Sequence, residues 1–179
     1  MGENLSSSIA GCVYDAKGNP VGGVKITCDG YETITLFDGT YKFTDLKPSN
    51  YTVTVNLKGF QVQSKTVEAK ADIVTVADFR LVEAVGDAKV YGYVYDDEAK
   101  QPITSGGTVI LILPVSNRFA NINREGYFEF SKLPLDTYEI YTSIHKYIDK
   151  KIVVTVMQGE TKRVDIYCTH EPFEEPFWG

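Results

Sequence analysis

Apolar and polar residues alternate along most of this chain with a period of two, the spacing of a strand that buries one face. Tyr51, Val53, Val55 and Leu57 fall on one side of a stretch whose other side carries Thr52, Thr54 and Asn56. The pattern returns with Tyr138, Ile140 and Ile144 inward and Glu139, Tyr141 and Ser143 outward. Such runs are short and are separated by clusters of Gly, Asp, Asn and Pro, which read as turns. No segment sustains a helical period. The spacing predicts strands near 8–15, 21–28, 31–37, 40–44, 50–57, 60–69 and 73–82. A second set falls near 88–96, 107–114, 118–124, 127–131, 137–144, 148–157 and 160–168.

The second set restates the first. Asp38-Gly39-Thr40-Tyr41-Lys42-Phe43 and Leu46 return as Glu125-Gly126-Tyr127-Phe128-Glu129-Phe130 and Leu133, 87 positions on. Gly11-Cys12-Val13-Tyr14-Asp15 returns as Gly92-Tyr93-Val94-Tyr95-Asp96, and each is followed by a proline, Pro20 or Pro102. A repeat this long is a whole domain. The expected fold class is all-β, with two tandem seven-stranded β-sandwiches. The expected organisation is an N-terminal arm over 1–8, a sandwich over 9–83, a linker over 84–88, a second sandwich over 89–168 and an aromatic tail over 169–179. Asp38-Gly39 and Glu125-Gly126 are hairpin signals.

Composition narrows the classes. A length of 179 residues suits two small domains. The net charge of −6 opposes a phosphate backbone, so no nucleic-acid partner is expected. The basic cluster Lys146, Lys150 and Lys151 reads as a solvated hairpin end. Three cysteines, Cys12, Cys28 and Cys168, show no zinc spacing. Cys12 and Cys28 lie on the first two expected strands, where they either pair or stay thiols. No run approaches the ~18 apolar residues of a membrane span, so no membrane insertion is expected. The first residues have neither a basic start nor an apolar stretch, which predicts a chain made in the cytoplasm without a signal peptide, or else a fragment of a cell-surface protein.

The order Gly-x-Val-x-Asp, Gly-x-Pro, Gly-Val, Asp-Gly-x-Tyr-x-Phe-x-x-Leu and Tyr-x-Val resembles the carboxypeptidase regulatory-like domain. The resemblance covers Ile9 to Val82 and, more loosely, Val90 to Tyr167. The second copy departs at Gln101–Gly107, where a longer connection replaces Gly-Asn-Pro-Val-Gly-Gly. The resemblance implies a transthyretin-like (prealbumin-like) sandwich, close to the Cna-B modules of surface proteins. It implies an accessory module, one found on peptidases, transporters, adhesins and virion proteins, and so it specifies fold rather than task.

The residues carry little chemistry. There is no Gly-x-Ser-x-Gly elbow, and the two histidines, His145 and His170, lie at a strand end and in the tail. Cys168 and His170 are too few for a zinc site, and Asp96, Asp97 and Glu98 lack the spacing of a calcium loop, reading instead as a solvated turn. Gly22-Gly23 and Gly106-Gly107 precede strands rather than phosphate-binding helices. The resemblance to Cna-B modules raises an intramolecular isopeptide bond. None is expected, because the inward positions are Ile9, Gly11, Val13, Val90, Gly92 and Val94, and Lys25 points outward. The chain reads as no enzyme, with no catalytic residue, cofactor or metal.

Two surface features remain. Tyr91, Tyr93 and Tyr95 fall on the outward side of one strand, where the first copy has Ala10, Cys12 and Tyr14. The stretch from Glu171 to Gly179 carries Pro-Phe twice, four residues apart, and holds Phe173, Phe177 and Trp178. These six aromatics are the candidate interface, since Tyr and Trp are enriched where proteins meet. The reading that follows is a non-catalytic structural protein with other protein subunits as partners, homo- or hetero-oligomeric, in a large particle such as a phage virion, as collar, ring, decoration or fibre attachment. The alternatives are an adhesion or glycan-binding module, with carbohydrate as partner, and an accessory domain of a peptidase.

Overall fold

The computed structural model describes residues 6–172. The chain divides into two units between Ala84 and Val85. The first contains β1 (Ser7–Tyr14), β2 (Lys25–Cys28), β3 (Tyr31–Ile34), β4 (Thr40–Leu46), β5 (Ser49–Val55), β6 (Gln63–Ala69), β7 (Val74–Val76) and β8 (Phe79–Arg80). The second repeats the order with β9 (Ala88–Asp96), β10 (Thr108–Leu111), β11 (Arg118–Asn121), β12 (Tyr127–Leu133), β13 (Asp136–Ser143), β14 (Lys151–Val156), β15 (Thr161–Arg163) and β16 (Ile166–Cys168). No helix occurs among the described residues.

Each unit is a sandwich of two sheets. In the first, β4-β1-β7, with β8 continuing on β1, faces β3-β2-β5-β6. In the second, β12-β9-β15, with β16 continuing on β9, faces β11-β10-β13-β14. The alternation has its expected effect. Ile9, Val13, Ile26, Val53, Val55 and Phe79 are buried in the first unit, and Val90, Val94, Val109, Phe128, Tyr138 and Ile140 in the second. Burying each such side chain contributes about 1.5–3 kcal/mol relative to leaving it in water. Cys12, Cys28 and Cys168 are buried free thiols.

The last strand of each copy, read from the sequence as continuous, is interrupted. β1 pairs in parallel with β7 through Ala10 and Val76, and again with β8 through Val13 and Phe79. At the gap, the Ala77 carbonyl presses onto Gly11, where a side chain would collide with it. The carboxylate of Asp78 then takes the N–H of Cys12 at 2.8 Å. The second unit does the same with Val164 on Gly92, and Asp165 takes the N–H of Tyr93 at 3.1 Å. Glycine is required at both points by the close approach of backbone.

Other expectations shift. β2 starts at Lys25 rather than at 21, because Pro20 bridges Tyr14 and Gly23 sits at a left-handed φ of 76°. Ala88, placed at the end of the linker, opens β9 and is fully buried. Thr169 to Glu171, assigned to the tail, stay tied to the second unit. Thr169 accepts the N–H of Ile148 at 2.9 Å, His170 bridges Tyr147, and Glu171 donates its N–H to Lys146 at 2.9 Å. Phe173, Phe177 and Trp178 lie outside the described residues.

Candidate functional site

β9 alternates strictly, with Val90, Gly92, Val94 and Asp96 inward and Lys89, Tyr91, Tyr93 and Tyr95 outward. Its neighbours add to the outer side. Tyr127 of β12 stands opposite Tyr93, Glu129 opposite Tyr91, and Tyr167 of β16 opposite Tyr95. Five tyrosines thus share one face. Tyr127 lies 6.2 Å from Tyr91 and 5.5 Å from Tyr93, between ring centres. Tyr93 lies 6.3 Å from Tyr95, which stacks on Tyr167 at 5.2 Å. These are the offset and edge-to-face separations that aromatic quadrupoles favour.

Cations lie over the rings. Lys89 sits 5.7 Å from the centre of Tyr91, Arg163 5.4 Å from Tyr93 and Lys100 5.6 Å from Tyr167. Each is also paired with an acid: Lys89 with Glu129 at 2.6 Å, Arg163 with Asp165 at 2.9 Å and Lys100 with Asp97 at 2.9 Å. The Lys89 ammonium and the Tyr127 hydroxyl lower the Glu129 pKa, and Glu129 in turn raises those of Lys89 and Tyr127. The face offers ring edges, hydroxyls and neutralised charge pairs, a surface suited to contact.

The sequence singled out Tyr91, Tyr93 and Tyr95 and missed Tyr127 and Tyr167. These two join the row only through strand pairing, although Tyr127 already stood in the repeated hairpin motif. The equivalent face of the first unit carries Ala10, Cys12 and Tyr14 on β1 and Thr40 and Lys42 on β4, so the aromatic row belongs to one copy of a shared backbone.

Asp96, read as part of a solvated turn, is instead a buried hub. It accepts the N–H groups of Ala99 at 2.7 Å and Glu98 at 2.8 Å, the Tyr147 hydroxyl at 2.8 Å and the His170 ring at 2.8 Å. Chiefly through the Ala99 N–H and the Tyr147 hydroxyl, these partners hold its pKa down to about 2. The His170 ring stacks on Tyr147 at 4.2 Å. Cys168, two residues away, is buried and directs its thiol to Thr142 instead. Among the described residues no group of three or more His, Cys, Asp or Glu is placed to hold a metal. Lys25 is exposed and pairs with Glu32 at 2.7 Å.

With this geometry in hand, residues 8–82 match the family of the carboxypeptidase regulatory-like domain. The first unit is a carboxypeptidase regulatory-like domain. The second unit repeats the strand order of that carboxypeptidase regulatory-like domain, including the interrupted last strand. An 81-residue stretch, 45% of the chain, is 36% identical to "Structural protein 27" of a virus (isolate Australia/Victoria), and it spans 16% of that protein's length. Among solved structures, the chain is similar to the Bacillus anthracis TIE protein, at 14% identity, a TM-score of 0.47, and 93% of this chain against 34% of that one. It is also similar to a Streptococcal ancillary pilin, at 12% identity, a TM-score of 0.46, and 97% of this chain against 65% of that one.

Proposed function

We propose that this chain is a non-catalytic structural protein that takes its place in an assembly through the tyrosine face of its second domain. The observation that carries the reading is the five-tyrosine row, present in one copy of a duplicated fold and absent from the other. A face the fold does not need, rich in the residue type that anchors interfaces, is a face for a partner. The likeness to a viral structural protein supports a particle, a virion or another extracellular one, as the setting, with other protein subunits as the partners. Collar, ring, decoration and fibre attachment are the roles such a part fills. Phe173, Phe177 and Trp178 belong to the same proposal as a second set of anchors.

The test is incorporation. Particles shed by cells making the chain are purified and their proteins quantified by mass spectrometry. The wild-type chain is expected at a fixed ratio to the other subunits, and a chain carrying Tyr93→Ser and Tyr167→Ser is expected to be lost from them with its melting temperature kept. Equal incorporation of the variant removes the face from the proposal, and absence of the wild-type chain removes the structural role.

A second reading, an adhesion or glycan-binding module, draws on the same rings and hydroxyls. Titration with a glycan panel separates the two: saturable sugar binding lost in the same variant favours adhesion.

A further inference from the structure

The chain leaves the second domain along the end of the β13–β14 hairpin, and it is tied down there. Ile148 donates its N–H to the Thr169 carbonyl, and Glu171 donates its N–H to the Lys146 carbonyl, each at 2.9 Å. Between them His170 bridges Tyr147, stacks on its ring at 4.2 Å and meets the Asp96 carboxylate at 2.8 Å. The first domain makes the same exit 87 positions earlier. There Gln61 donates its N–H to Val82 at 2.8 Å, and Ala84 donates to Gly59 at 2.9 Å. The backbone path is shared, but the charges are not. Lys146, Lys150 and Lys151 stand where the first domain has Gly59, Gln63 and Ser64. Glu171 and Glu175 stand where it has Ala84 and Ala88, and Glu174 where it has Asp87. The hairpin gains cations in the copy whose exit segment gains acids.

We infer that Glu174 and Glu175 fold back onto this hairpin end and pair with Lys146 and Lys150, strapping the C-terminal segment to its own domain. Lys151 is already taken by Glu139 at 2.8 Å. Lys146 and Lys150 carry no ion pair among the described residues, and the turn between them holds a single acid, Asp149. Lys146 and Glu171 line one open cleft. Glu174 follows Glu171 by three residues, a reach of ~10 Å at most, so it stays beside Lys146. Exposed ion pairs are individually weak. Here the clasp at His170 makes them intramolecular, with an effective concentration on the order of millimolar. The strap continues a contact that Thr169 and Glu171 have already begun. Its consequence is that Phe173, Phe177 and Trp178 issue from a fixed base, and a pre-positioned anchor loses less freedom on binding. That consequence rests on the reading of these residues as anchors; the strap itself does not.

The test uses the full chain, in which Trp178 is the one tryptophan, so fluorescence reports the tail alone. A zero-length carbodiimide reagent is expected to join Glu174 or Glu175 to Lys146 or Lys150 in the monomeric fraction, located by peptide mass spectrometry. Lys146→Glu with Lys150→Glu is expected to lower Trp178 anisotropy and to raise its quenching by acrylamide at least about twofold, and Glu174→Lys with Glu175→Lys to do the same. All four changes together restore opposite charges and are expected to return both readings to wild type. Salt at about 1 M should screen the pairs and mimic either double variant. Circular dichroism checks that each variant keeps its fold. Absence of the cross-link, wild-type quenching in both double variants, or no recovery on combining them overturns the inference. The strap is read on the isolated chain and anchoring by particle incorporation. A strapped chain that is missing from particles sinks the structural role and leaves the strap standing.

Discussion

The carboxylate of Asp165 accepts the backbone N–H of Tyr93 at 3.1 Å while its oxygens hold the Arg163 guanidinium at 2.9–3.1 Å. One acid thus fixes both the backbone under the central tyrosine and the cation over its ring. Asp165→Ala leaves the N–H without its acceptor and is expected to cost about 1–3 kcal/mol. Asp165→Asn keeps a carbonyl oxygen there and should cost less. Thermal unfolding gives the order, and near-ultraviolet circular dichroism should change more for the alanine variant as the Tyr93 ring loses its cation. Equal costs would show that the acceptor does not matter.

The glycines beneath the two strand breaks should be intolerant of any side chain. Gly92→Ala sets a methyl against the Val164 carbonyl, and Gly11→Ala sets one against the Ala77 carbonyl. Each is expected to destabilise its own domain by about 2–3 kcal/mol, the cost of forcing atoms into filled space. Calorimetry of the two single variants and the double variant checks this. Wild-type melting in Gly92→Ala would mean that the strands can separate freely there.

Asp96 makes the second domain sensitive to acid. Its folded pKa, about 2, lies below the ordinary value near 4. A depressed acid contributes stability at neutral pH, and that contribution is lost as pH falls from about 4 toward 2. Asp15, Asp38 and Glu129 are lowered too, so acid destabilises the wild-type chain by several routes. Asp96→Asn should lower the melting temperature at pH 7 and narrow the gap between pH 7 and pH 2.5. An unchanged gap would remove Asp96 as a source of the effect.

Two of the thiols should be inert in the folded chain. Burial pushes the Cys28 pKa up to about 11 and raises that of Cys168. For Cys28 this leaves about 100-fold less thiolate than an ordinary thiol at pH 8. Iodoacetamide followed by peptide mass spectrometry should find both unmodified in native protein and labelled in denaturant. Rapid native labelling of Cys28 would contradict its burial.

Period-two alternation and the 87-residue repeat made the sandwich legible, because strand faces and hairpin turns are local properties of sequence. Tyr91, Tyr93 and Tyr95 were legible for the same reason, lying on one strand. Tyr127 and Tyr167 were not, since only register across three strands brings them to the row. The break at Gly92 was hidden although Asp165, like Asp78 in the first copy, is of a type that strands disfavour, because one such residue does not show which backbone its carboxylate will meet. The cause lies 72 residues away, in the glycine that admits the carbonyl. His170 read as tail because its partners, Asp96 and Tyr147, are remote in sequence.

The interrupted outer strand also limits how these sheets can go wrong. β7 with β8, and β15 with β16, present only two or three consecutive residues of ladder on that side, and the break is occupied by an aspartate. A foreign strand seeking to add itself there finds no continuous row of backbone donors and acceptors. Edge-to-edge stacking is opposed along that margin of both domains.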